Sequence, residues 1–182
     1  KALTITANND SKTYGDVKTY GSGSTAFTSS GLVNSETIGS VTITDTNSGG
    51  VNTAAAGGTY ALTPSLATGG TFSTSNYAIT YVAGALTVNK ATLTVTADNK
   101  TRVYGDANPT LTYSITGYVN SENATSAGIT GAPTISTTAT AASNVNTYTI
   151  TSAANNLAAA NYQFSYVDGT LTVNRRPVTV TA

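Results

Sequence analysis

Apolar and polar positions alternate with a period of two along much of this chain. Leu3, Ile5 and Ala7 alternate with Thr4 and Thr6; Leu93, Val95 and Ala97 alternate with Thr94 and Thr96; Val178, Val180 and Ala182 alternate with Thr179 and Thr181. This period predicts half-buried strands with one apolar face and one threonine face. Further strands are expected near 41–46, 58–63, 76–82, 84–89, 110–116, 133–138, 146–151, 161–167 and 169–174. The runs 76–82 and 84–89 hinge on Ala83-Gly84, and 161–167 and 169–174 hinge on Asp168-Gly169. Asp-Gly between alternating runs predicts a hairpin. N-cap residues in 34–40 (NSETIGS) and 120–127 (NSENATSA) predict one short helical turn each.

The pattern also repeats on a larger scale. NYAITYVAGALTVNKATLTVTADN at 76–99 is answered by NYQFSYVDGTLTVNRRPVTVTA at 161–182, and KALTITANNDSKTYGD at 1–16 by ATLTVTADNKTRVYGD at 91–106. GLVNSE at 31–36 returns as GYVNSE at 117–122. Two units are therefore expected, 1–89 and 90–174, with a third beginning at 175–182. At the junction the apolar residues switch parity, from Leu86 and Val88 to Leu93, Val95 and Ala97; Leu171 and Val173 give way to Val178 and Val180 in the same manner. A strand that stays in one sheet keeps its apolar face on one parity, so one core ends and another begins within about four residues. Tandem units joined so closely predict an extended rod of limited flexibility, and a chain that is a piece of something longer. Each unit is expected to be all-β with six or seven strands. Two strands, a short helical turn and further strands favour a β-grasp-like arrangement, with an immunoglobulin-like β-sandwich as the alternative.

Composition narrows the function. Charged residues make up 9%, and eight basic residues balance eight acidic ones, so no electrostatic footprint for nucleic acid or anionic lipid is expected. No apolar run approaches the length of a membrane span, and membrane insertion is not expected. Thr and Ser supply nearly a third of the residues, yet zero net charge, eleven Tyr and clean alternation argue for a folded chain. His and Cys are absent, which removes Ser-His-Asp and Cys-His nucleophile systems, His- or Cys-ligated zinc, disulfides and thiol redox chemistry.

What remains is carboxylate chemistry. Of the acids, Asp16 matches Asp106 and Glu36 matches Glu122 between copies. An acid present in every unit reads as a turn or cap residue rather than half of a glycosidase pair, so no catalytic residue, metal ligand or cofactor is expected and the chain is not read as an enzyme. Tyr-Gly-Asp at 14–16 and 104–106 reads as a turn in which Gly takes positive φ, Asp accepts backbone N–H groups and Tyr covers the core's end. One Asp per loop falls short of a calcium loop. The Thr rows read as solvent faces of strands. Asn9, Asn99 and Asn123 head Asn-x-Ser/Thr triplets, a pattern frequent by chance in so Thr-rich a chain.

K-A-x-L-T-V-T-A followed by Y-G-D, a central G-x-V-N-S-E, and a closing N-Y-x-x-x-Y-V-x-G-x-L-T-V resemble the MBG-type (mostly beta, glycine-rich) and related YDG repeats. Such repeats occur in tandem in very large bacterial surface and secreted adhesins, many of the filamentous-haemagglutinin type. The resemblance covers both units, and departs at Val51–Ser75, which is Gly- and Ala-rich and longer than its counterpart. It implies an extracellular stalk or spacer in adhesion at the bacterial cell surface, with no catalytic residues to carry over. The partners implied are neighbouring repeats and, through the parent protein, polysaccharide or host glycans. The alternative is that each repeat is itself a glycan-binding module, for which Tyr20, Phe27, Phe72, Tyr113 and Tyr118 are the candidate ligand residues if exposed.

Overall fold

The computed structural model describes residues 1–181, and Ala182 of the third alternating run lies outside them. The chain divides into two units, Lys1–Ala91 and Thr92–Ala182. Unit 1 contains β1 (Ala2–Ala7), β2 (Asp10–Thr13), β3 (Phe27–Ser30), β4 (Ile38–Asp45), β5 (Thr59–Gly70), a 3-10 turn (Thr74–Asn76), β6 (Ala78–Val82) and β7 (Gly84–Asn89). The next seven strands follow the same plan: β8 (Ala91–Ala97), β9 (Lys100–Val103), β10 (Tyr113–Thr116), β11 (Thr134–Thr137), β12 (Asn146–Ala153), β13 (Tyr162–Val167) and β14 (Gly169–Asn174). The first unit's sheets run β3-β1-β6 and β2-β7-β5-β4; the second's run β10-β8-β13 and β11-β12-β14-β9. Strand by strand, these are the same topology.

The class is all-β. The central strand β1 pairs antiparallel with β3 and parallel with β6, a grasp-like feature. No helix covers that sheet among the described residues, and the second sheet takes its place. Leu3, Ile5 and Ala7 of β1 share one core with Val41, Ile43, Leu62, Ala67 and Leu86 of the other sheet. Leu86 and Leu171 are wholly buried, each stabilising its unit by about 2 kcal/mol relative to exposure. The expected helical turn at 34–40 is a tight turn instead: Asn34 and Ser35 have φ 54° and 57°, and the Glu36 N–H bonds the Val33 carbonyl at 3.0 Å. Ile38 then opens β4. The copy repeats this at Asn120 and Ser121 (φ 55° and 58°), and a single loose turn follows, with Ala127 N–H bonding the Asn123 carbonyl at 2.8 Å.

The expected hairpins at Ala83-Gly84 and Asp168-Gly169 are not hairpins. β6 lies in the sheet of β1, whereas β7 pairs with β2 and β5. One intervening residue cannot reverse a chain, and neither Gly84 nor Gly169 has positive φ. The chain instead bends from one sheet into the other. β1 and β2 make the same bend, so Ala2↔Ala78 and Thr6↔Val82 continue in unchanged register as Asp10↔Leu86 and Thr13↔Asn89. A parallel pair thus crosses the corner together. Glycine is required there by close approach: a Cβ on Gly84 would lie 2.5 Å from the Ala7 carbonyl oxygen, and one on Gly169 2.4 Å from that of Ala97. The ladder gap at the bend is bridged by a side chain, since Asn9 Oδ1 accepts from Ala85 N–H at 2.8 Å and Asn99 Oδ1 from Thr170 N–H at 2.8 Å.

β7 and β8 belong to different sheets, with only Lys90 between them. β5 runs past the expected end at 63 and through Pro64. Proline is tolerated because β5 pairs with β7 only over Thr59–Leu62; beyond that its far side has no ladder to donate to. The expected strand at 178–182 is not one among the described residues: Val178 and Val180 are 83% and 88% exposed. Among the described residues the run from Val178 to Thr181 pairs with no strand, and an alternating run without partners does not form a sheet.

Candidate functional site

The repeated motifs resolve into a structural framework. Asp16 N–H bonds the Thr13 carbonyl at 3.0 Å while its carboxylate accepts from Thr13 N–H at 3.2 Å, and Gly15 and Gly105 hold φ of 96° and 88°. Tyr14 is buried as expected of a residue covering the core's end, but Tyr104 is 42% exposed. Asp106 pairs with Arg176, whose Nε also donates to the Tyr104 carbonyl at 2.8 Å. The V-N-S-E turn is pinned to the N-Y motif. Tyr77 hydroxyl donates to Glu36 and accepts from Val33 N–H at 3.2 Å; Tyr162 hydroxyl donates to Glu122 and accepts from Val119 N–H at 3.1 Å. The Glu36 bond raises the Tyr77 pKa, with burial adding to it. Glu36 and Glu122, the repeated acids, are thus anchors for a turn.

Two buried cations escaped the sequence reading. Lys12 and Arg102 are repeat-equivalent and only 5% and 6% exposed. Lys12 Nζ donates to the carbonyls of Asp16 (2.9 Å) and Val51. Arg102 Nε donates to Asn108 Oδ1 at 2.8 Å and its other nitrogens to the carbonyls of Val103 and Thr140. Burial lowers the Lys12 pKa, against the pull of Asp16 and Asp45. Each cation ties an early strand to a distant loop. The available signal was a cation at the same place in both copies of a charge-poor chain.

The aromatic candidates divide between the two units. Tyr20, Phe27 and Phe72 pack against the core of unit 1, and the Phe72 ring lies 6.3 Å from that of Tyr77. In unit 2, Tyr113 is 39% exposed on β10. Tyr118 stands edge-on to Tyr162 at 6.2 Å, its pKa raised by burial and by neighbouring Tyr113. The triplet asparagines serve the backbone: Asn9 and Asn99 bridge the corners, and Asn123 Oδ1 accepts from Thr125 and Ser126 N–H.

Tyr20 borders two hollows. It walls a cleft of about 420 Å³ lined also by Lys18, Thr42, Thr44, Asp45 and Ser48, and a smaller hollow of about 290 Å³ with Asn8, Asn9, Asp10 and Ala26. Its hydroxyl donates to Asp10 Oδ2 at 3.0 Å, and Asp10 also accepts from Ser11 N–H and pairs with Lys18. Burial and the bond to Asp10 raise the Tyr20 pKa. Burial alone would raise Asp10 too, but the bonds from Lys18, Ser11 and Tyr20 outweigh it and hold the carboxyl below its usual range. Asp45 is fixed by Gly49 N–H (2.9 Å) and Gly50 N–H (2.6 Å).

Two copies of one two-sheet topology, each with its own core and the same turn anchors, define a tandem all-β repeat protein. The chain belongs to the family of the MBG domain (YGX type), whose model matches twice, over residues 3–87 and 93–172. No curated protein matches the chain.

Proposed function

We propose that this chain is a stalk or spacer segment of a large bacterial adhesin or exported matrix protein, working outside the cell and holding a binding region away from its surface. The observation that carries this reading is the direct succession of two units of identical strand order, with Lys90 alone between the last strand of one and the first of the next. Such an array adds length with each copy, and the repeated motifs serve as turn anchors within each unit. The role needs no catalysis, cofactor or metal. Its partners are neighbouring repeats and, through the parent protein, polysaccharide or host glycans.

The competing reading makes each repeat an equivalent glycan-binding module. It has less support, because of the aromatic candidates only Phe27 and Tyr113 fall at matching positions, beside Ala7 and Ala97; Leu157 stands opposite Phe72, Leu32 opposite Tyr118, and no aromatic lies between Tyr104 and Tyr113 to match Tyr20. Small-angle scattering of this chain tests the spacer reading. The spacer reading requires a radius of gyration well above the value of about 16 Å that one compact body of this length gives. A value near the compact figure refutes a stalk.

A further inference from the structure

The two units act as an internal control. They share strand order, corner glycines, buried cations and tyrosine-glutamate anchors, so residues that differ between them are not demanded by the fold. Asp10 corresponds to Lys100; the stretch 17–26 that carries Lys18 and Tyr20 is matched by the shorter 107–112, which holds no lysine and no aromatic; and Asp45 falls opposite Thr137 when Val41-Thr42-Ile43 is set against Pro133-Thr134-Ile135. Lys18, Tyr20 and Asp45 of the cleft, and Asp10 of the adjoining hollow, are therefore specific to unit 1. Unit 2 reaches the same topology without any of them.

We propose that this cleft is a saccharide-binding subsite carried by unit 1. Its volume of about 420 Å³ falls in the range of small-ligand sites. Tyr20 lines both hollows, packs in part against the core, and is held in place by its bond to Asp10. It is a fixed apolar plate against which the C–H face of a sugar ring stacks. Asp45 is held by two backbone N–H groups and keeps further lone pairs for ligand hydroxyls. Thr42, Thr44 and Ser48 add hydroxyls that both donate and accept. The polar groups are thus positioned before a ligand arrives, which lowers the ordering cost of binding.

Other ligand classes fit less well. A phosphate or sulfate needs uncompensated positive charge, and Lys18 is already paired with Asp10. A lipid or large apolar ligand needs a deep, continuous apolar floor, and in this open cleft Val17, Ile43 and Val51 are interspersed with Thr, Ser, Asp and Lys. A neutral polyhydroxylated ring matches both the plate and the rim.

The test is an amide chemical-shift titration of the complete 182-residue chain with glucose, galactose, mannose, N-acetylglucosamine, cellobiose and chitobiose in turn. At least one should give saturable shifts confined to Gly21, Thr42–Asp45 and Ser48–Gly50, with a dissociation constant of about 1–10 mM for so open a site. Tyr20→Thr, which removes the ring, should weaken binding at least tenfold, while Tyr20→Phe, which keeps the plate, should retain most of it. Because Tyr20 also touches the core, a second variant guards against misfolding. Thr44→Arg fills the cleft from an exposed strand position and should abolish the shifts while leaving the rest of the spectrum unchanged. Absence of saturable shifts with every sugar, or shifts that survive Thr44→Arg, overturns the proposal. The radius of gyration is unaffected by either result, so the spacer reading stands or falls separately.

Discussion

Replacing Gly84 by alanine should unfold unit 1 far more readily than its size suggests. The added Cβ would sit 2.5 Å from the Ala7 carbonyl oxygen, 2.7 Å from that of Asn8 and 3.0 Å from the Ala7 carbonyl carbon. Ordinary carbon–oxygen contacts lie near 3.3 Å or beyond, so the overlap with two backbone oxygens is about 0.7 Å. Backbone atoms cannot rotate away as a side chain would, and relief requires the parallel pair to open at its corner. Overpacking of this kind costs about 1–3 kcal/mol, and each ladder bond lost adds about 1 kcal/mol. Alanine's restriction of the unfolded chain returns only about 0.4–1 kcal/mol. The net loss is about 3 kcal/mol, or a fall in Tm of about 12–24 °C for a unit of this size.

Gly21→Ala is the matched control. Nothing lies within 4 Å of its Cβ position and its φ is not positive, so the change should be neutral or stabilising by up to about 1 kcal/mol. Calorimetry of the two-unit chain reads both, with the transition of unit 2 as internal reference. Gly84→Asn adds a second arm. A hairpin glycine at positive φ tolerates Asn, whereas a glycine fixed by close approach does not, and Asn should be at least as damaging as Ala. A Gly84→Ala variant within about 1 kcal/mol of the parent would refute the corner argument.

Two further outcomes follow from the anchors and the cleft. Tyr162→Phe should destabilise unit 2 by about 1–2 kcal/mol, because the hydroxyl's bonds to the Val119 N–H and to Glu122 are both removed; Tyr113→Phe, on an exposed ring, should stay within about 0.5 kcal/mol, and urea denaturation separates the two. Asp10 has a folded pKa below its reference of 3.8, so its contribution is complete above that value and is lost as pH falls through the folded value. Asp10→Asn should flatten the loss of stability of unit 1 below about pH 4, at a neutral-pH cost under about 1 kcal/mol after solvent screening; urea midpoints of variant and parent at pH 7 and pH 3 that shift in parallel would count against it.

The sequence makes legible whatever depends on local periodicity. Leu3, Ile5 and Ala7, and Leu93, Val95 and Ala97, are buried as their alternation predicts, and the parity change after Val88 marks a change of sheet. Strands β2, β3 and β9 (DSKT, FTSS and KTRV) carry no such signal. They exist because distant partners present a free ladder. Asp168-Gly169 misled for the same reason: a dipeptide that suits a turn equally suits a tight crossing, and only non-local pairing decides which. In the cleft, Tyr20 was legible as an aromatic candidate. Asp10, Lys18 and Asp45 were not, because the fold gathers them from three separate segments. Comparing the copies for differences, as well as likenesses, points to them.

The parallel pair that turns each corner has a mechanical meaning. In unit 1 the chain enters at the start of β1 and leaves at the end of β7, and Ala2 lies beside Ala78 while Thr13 lies beside Asn89. Tension applied through the two chain ends therefore pulls these neighbouring strands in opposite directions along their length. The interstrand bonds are loaded in shear, many at once, instead of being unzipped one after another. β9 and β14 hold the same parallel relation in unit 2. A protein built of such units would resist stretching through its terminal strands, and the force it withstands would be set by the ribbon that the two corner glycines allow to close.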